Sequence, residues 1–418
     1  MPNTTEIRSR FPALVAPFAF LDNAGGSQLP VDAINALTHS LTHAFGQLGG
    51  FYPASTHAEA NIAAAHHAAA TFLNAHSTGH VILGSSSTSL LHLIANAHAD
   101  ALAAGDLPRH RNRIVVSTIG HEANIQPWLR LAARGFEITP WHPVLTVDPS
   151  GTPQAALTLD SLAPLLDDRT LLVVFPEVSN IIGEIYDAPA ITRAAHAVGA
   201  RTVVDGVACA PHRLPDVAAH AHDWYVYSTY KVFGPHAAAI YGSREAFAPL
   251  HGPNHPFIPR TKLPSKFELG GFSHESAAAI AALPAYLRFV ADAPSSLDDR
   301  AAMLRAFDTI ERIEAEVCSP LLRFLSNHPR IALFGAASMT PSRVATVSCR
   351  VRGESRSASL ARELCARNLG VKHGHFYSRR LVEALGMDPD DGVLRISLAH
   401  YNTPDEIARL TTALDQLL

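Results

Sequence analysis

Lysine is scarce in this chain: of its 33 basic residues only Lys231, Lys262, Lys266 and Lys372 are lysine. Lys231 stands in "YSTYKVFGPH", behind the strand-like "WYVYS" (224–228) and ahead of Val232 and Phe233. An ammonium among apolar neighbours is costly, and burial lowers its pKa. Arginine, the habitual cation here, would supply a charge but cannot lose its proton and join an aldehyde as a Schiff base. Three other apolar runs end in reactive groups. "HVILG" leads to "SSSTS" and a helix, so Ser87 and Thr88 offer hydroxyls beside backbone N–H groups where an anion can sit. The same pattern also reads as an ordinary Ser/Thr N-cap. "LLVVFPEV" leads to Ser179 and Asn180, and "RTVV" to Asp205, which reads equally as a structural turn residue. An amine for the aldehyde, an acid for the pyridine nitrogen and a cradle for the phosphate are the handles that pyridoxal phosphate requires.

Those groups must be positioned by a scaffold. Strand-like runs lie at 80–84, 113–118, 136–142, 171–176, 201–206, 224–228 and 238–242, with Ala/Leu-rich helical segments between them. That alternation predicts an α/β fold with a mostly parallel sheet covered on both faces. In such sheets ligands sit beyond the carboxyl ends of the strands, where the candidates collect. Around 250–275 the texture changes to Pro, Gly and His. A long helical stretch (277–325) follows, then the strand candidates "RVATVSCRV" and "VLRISLAH". The expected division is a large domain over residues 26–276 and a smaller α+β domain from residues 1–25 and 277–418.

Composition narrows the class. The 418 residues are 47% hydrophobic and 17% charged with net charge −4, as expected of an ordinary soluble globular protein. No basic surplus points to nucleic acid, and no apolar run predicts a membrane span or an N-terminal signal. Cys209, Cys318, Cys349 and Cys365 are scattered, which fits a reducing, cytoplasmic setting. The 24 histidines include the groupings His66/His67, His251/His255 and His373/His375, none with an H-E-x-x-H pattern, so no metal site is expected.

The segments "FLDNAGGSQLP", "GHEANIQPW", "VSNIIGEIYD", "VVDGVACAPHRLPDV", "YSTYKVFGPH", "FELGGFSHE" and "LRISLAHYNT" together resemble the class V aminotransferase family of fold-type I pyridoxal phosphate enzymes, in its cysteine desulfurase-like branch. The resemblance covers nearly the whole chain. It implies that Lys231 holds the cofactor as an imine and that Asp205 pairs with the pyridine nitrogen. It further implies that Asn180 approaches the ring hydroxyl and that Ser87, Thr88 and Ser228 bind the phosphate. Arg395 matches the arginine that forks onto the substrate carboxylate, with Asn23 and Tyr377 on the substrate side. A homodimer with the site near the subunit interface is also implied.

The departures bear on the reaction. Where the branch carries R-x-G-x-H-C, this chain has "VKHGHFYSRRL", with Phe376 and Tyr377 in place of His and Cys. The histidine that stacks on the ring aligns with Glu122, unless neighbouring His121 takes its place. Ala208, Tyr230 and Gly271 stand where the branch has Gln, His and Thr. Cofactor binding is expected to survive, with Tyr230 at the phosphate and the Gly271 backbone approaching the phosphate of the partner subunit. The expected activity is elimination of a sulfur leaving group from a cysteine derivative, with transamination or epimerisation of an L-amino acid as alternatives and an inactive cofactor-binding homologue as a remote one.

Overall fold

A computed structural model describes residues 2–418. Its central sheet has seven strands in the order Gly79–Gly84, Ala238–Ser243, Trp224–Ser228, Arg201–Asp205, Thr170–Pro176, Arg113–Ser117 and Glu137–Trp141. Only Ala238–Ser243 runs antiparallel to its neighbours. All seven expected strands are present. Alternate residues of each strand enter two different cores. Val173, Phe175, Val204 and Tyr227 pack on one face, and Leu172, Val174, Val203 and Val226 on the other. Burial on both faces is why these strands read as continuous apolar runs. Pro140 is tolerated because Glu137–Trp141 is an edge strand, where a missing N–H breaks no ladder.

The 277–325 stretch forms three helices rather than one: His274–Ala281, Leu283–Val290 and Asp299–Asn327. Pro284 sits in the first turn of the second helix, where its lost N–H is harmless. Asp298 caps the third by accepting from the Ala301 N–H at 2.9 Å.

A second, antiparallel sheet has the order Ile331–Phe334, Thr346–Val351, Val393–Ser397 and Lys372–Gly374. The N-terminal segment joins it: Ala19–Phe20 pairs in parallel with Leu369–Gly370, and Asp22 bridges to Ser397. Val393–Ser397 therefore carries Arg395 toward the carboxyl ends of the first sheet. No helix among the described residues is long and apolar enough to cross a membrane.

Candidate active site

Asp205 is the last residue of its strand, and its carboxylate accepts the Val207 N–H at 3.0 Å. Burial pushes its pKa up to about 6, against the pull of that N–H and of Lys231. Lys231 ends a short turn after the neighbouring strand. Burial pulls its pKa down to about 8; the Arg395 charge adds to this, while Asp205 and Asp22 oppose it. A neutral amine is therefore accessible near physiological pH, as an attack on an aldehyde or removal of a proton requires.

The lysine turn is locked from the N-terminal segment. The Ser27 N–H donates to the Tyr230 carbonyl at 2.9 Å, and Ser27 Oγ accepts the Phe233 N–H at 2.8 Å. Gly26 leaves the close approach possible, since a Cβ there would lie 3.3 Å from the Tyr230 ring. Thus "AGGSQ" aims the base although it contributes no base of its own.

A cleft of about 420 Å³ opens onto Lys231 between the two sheets, lined also by His121, Asn180, Tyr377 and Arg395. Its inner end reaches Asp205, Ser87 and Thr88. Ser87 is the first residue of the helix Ser87–Ala104, and its Oγ lies 3.0 Å from that of buried Ser228. Tyr230 stacks on His236, with ring centroids 4.9 Å apart, and its phenol reaches Ser228. The donor set fits pyridoxal phosphate: a helix N-terminus with hydroxyls at one end, a carboxylate at the other, and an amine on the wall.

Arg395 is buried. Its Nη2 donates to Asp22 at 3.0 Å, its Nη1 to the Asn180 carbonyl at 3.2 Å, and its charge lies 3.7 Å from the Phe376 ring centroid. Nε is buried without a hydrogen-bond partner.

Several sequence expectations change. Glu122 does not line the cleft: its carboxylate takes Arg380 at 2.7 Å and Gln126 at 2.9 Å. His121 lines it instead, and burial lowers its pKa to about 4, keeping the ring neutral. The local turn decides this, because the His121 side chain accepts the Ala123 N–H and caps the short helix Glu122–Asn124. Asn23 is buried but not on the cleft wall. Its amide donates to the Ser397 carbonyl at 2.8 Å and its oxygen accepts from Tyr401, so it ties the N-terminal segment to the second sheet. Gly271 lines a neighbouring recess with Ser85 and His236; its expected place is at the partner subunit's phosphate. Asn180 lines the cleft, but its amide donates to the Phe376 carbonyl at 2.9 Å and its oxygen accepts from Ser378 at 2.7 Å.

Those bonds hold the loop that replaces the cysteine loop. Phe376 and Tyr377 have φ of +48° and +59°, left-handed conformations costing about 1–3 kcal/mol each. The Glu122 N–H, donating to the Tyr377 carbonyl at 2.8 Å, adds a second tie. Tyr377 stays at the mouth, two-thirds exposed, with its ring 5.1 Å from that of His121. Lys372, His373 and His375 join the wall together with Asp390. No cysteine lines the cleft among the described residues. Burial pushes the Cys318 and Cys349 thiols up to about 12 and Cys209 far above its ordinary value, while Cys365 is exposed on the helix Ser357–Cys365.

Known proteins resemble this chain over nearly its whole length. "Aminotransferase-like protein FGM3" of Gibberella zeae is 35% identical, covering 99% of this chain and 98% of its own length. "Cysteine desulfurase-like protein ustD" of Aspergillus flavus is 32% identical over 99% of this chain and 90% of its own. The apo structure of a cysteine desulfurase from Thermococcus onnurineus superposes with a TM-score of 0.82 at 21% identity, covering 100% of this chain and 98% of that one. A profile of the aminotransferase class-V family matches residues 19–410. The chain belongs to the aminotransferase class-V family and is a pyridoxal phosphate-dependent enzyme of the cysteine desulfurase-like kind.

Proposed function

We propose that this enzyme removes a sulfur-linked leaving group from the β-carbon of a cysteine derivative. The observation that carries the reading is the pairing of a depressed-pKa lysine with a cleft that contains no thiol. The cofactor, when bound, supplies an electron sink for negative charge developing at the substrate α-carbon. Arg395, on the cleft wall, binds the substrate carboxylate, which aims the α-hydrogen at Lys231. Lys231 Nζ takes that proton and holds it close to the departing group. Asp205 stays a carboxylate by pairing with the ring nitrogen, Ser87, Thr88 and Ser228 hold the phosphate, and neutral His121 covers the ring.

Incubation with cysteine conjugates, cysteine sulfoxides and common amino acids, with assays for pyruvate, ammonia, sulfide and keto acids, tests the reading. Pyruvate and ammonia in equal amounts from a cysteine derivative support elimination. A keto acid retaining the side chain, formed with an amino acceptor, would establish transamination instead. Free L-cysteine should be a poor sulfur donor. Among the described residues the cleft offers no thiolate acceptor, and Tyr377 presents a phenol oxygen in place of a sulfur nucleophile. Mass spectrometry after incubation with L-cysteine should find no persulfide; a persulfide on any cysteine would refute this prediction.

We also propose a homodimer. The segment 41–52 exposes Leu41, Phe45, Leu48, Phe51 and Tyr52, more clustered apolar surface than a monomer usually leaves in water. Light scattering at micromolar concentration should give twice the chain mass, and a fully active monomer would contradict it. The four unpaired cysteines support a reducing, cytoplasmic location.

A further inference from the structure

Behind Asp205, away from the cleft, lies a second group of polar side chains. Glu177 follows the strand Thr170–Pro176, and His220 and His222 flank the turn that leads into Trp224–Ser228. One ligand atom from each of the three lies within 4.8 Å of the others. Glu177 and His222 are buried, with exposures of 8% and 2%. His220 is half-buried and gives the group access to solvent.

The orientation of the buried pair is fixed from outside. Thr192 Oγ1 lies 2.9 Å from His222 Nδ1, and Tyr225 donates its hydroxyl to Glu177 at 2.5 Å. The His222 ring also stacks parallel to Tyr225, with centroids 5.8 Å apart. With Nδ1 bonded to Thr192, the nitrogen left for an ion is Nε2. That atom is buried with no hydrogen-bond partner, an arrangement that is unfavourable unless something binds it. Outer hydrogen bonds that orient imidazole and carboxylate ligands are the usual surroundings of a metal centre.

We propose that Glu177, His220 and His222 form a binding site for a first-row divalent cation of the zinc class, with water completing the coordination. Two imidazoles and one carboxylate suit zinc, and this set leaves a fourth position open. The ion would fasten the turn before Trp224–Ser228 to the end of Thr170–Pro176. The Glu177 N–H donates to the Asp205 carbonyl at 2.9 Å, so this fastening lies directly behind the cofactor carboxylate. Sequence spacing could not reveal the site, since the H-x-H pair meets its carboxylate only through the sheet.

Untagged holoenzyme, dialysed against a chelator and titrated with Co²⁺, tests the proposal. One Co²⁺ per chain should bind, with the visible d–d absorption of a low-coordinate nitrogen–oxygen site, and Zn²⁺ should displace it. His220→Ala and Glu177→Gln should each weaken binding by at least about tenfold. Cofactor absorbance and circular dichroism report whether each variant is folded. Glu177 is buried, so half-exposed His220 supplies the deciding variant, and wild-type uptake decides without any variant. Failure to bind one Co²⁺ per chain, or an unchanged affinity and spectrum in folded His220→Ala, would overturn the site.

Discussion

Replacing Lys231 by alanine is expected to lower turnover by at least about 10⁴-fold, because one substitution removes both the cofactor attachment and the base. The protein should still fold, since the turn around Lys231 is held by backbone bonds and Ser27 rather than by the amine. Borohydride reduction of the wild-type holoenzyme followed by peptide mapping should put the pyridoxyl label on Lys231. The other lysines are poorly suited. Lys266 donates to the carbonyls of Asn254 and His255, and Lys262 is exposed outside the cleft. Lys372 lines the cleft but is exposed at its rim, without the burial that Lys231 has. A label on Lys372 would refute the assignment. The pH dependence is a second check. Only the neutral amine attacks an aldehyde, so reconstitution of the apoenzyme should accelerate about tenfold per pH unit below about 8 and level off above it. Acceleration continuing toward 10.5, the ordinary value, would show that burial does not perturb this lysine.

Asp205→Ala is expected to cost about 10²–10³-fold in turnover, the usual scale for losing one preorganised electrostatic partner of the reacting system. Burial raises the Asp205 carboxyl to about 6, so pairing with a protonated ring nitrogen relieves a charge that burial disfavours. The variant should therefore also bind cofactor more weakly, and the absorption of what remains should shift as the ring nitrogen loses its partner. Asp205→Asn keeps the volume and can still accept the Val207 N–H, which separates loss of charge from loss of packing. Turnover near wild type in Asp205→Asn would exclude the proposed role.

The sequence by itself determined the sheet and the order of its chemistry. Strands buried on both faces leave unbroken apolar runs, and ligand groups follow their carboxyl ends, so Ser87, Asp205 and Lys231 could be singled out as candidates from strand order and residue type together. It also disclosed that no cysteine occupies the loop at 372–378. Short strands such as Ile331–Phe334 and Lys372–Gly374 were not legible, because three or four residues carry too little periodicity. Only the tertiary structure chose between His121 and Glu122. Adjacent residues share one sequence signal, and the choice rests on the N-cap bond to Ala123 and on Arg380, which is distant in sequence. Asn23 shows the same limit: its motif pointed to the substrate, but its partners Ser397, Asn402 and Tyr401 lie at the other end of the chain and hold it as a brace. Side-chain chemistry and strand order are local properties of a sequence, whereas the direction a polar group faces depends on partners that only folding supplies.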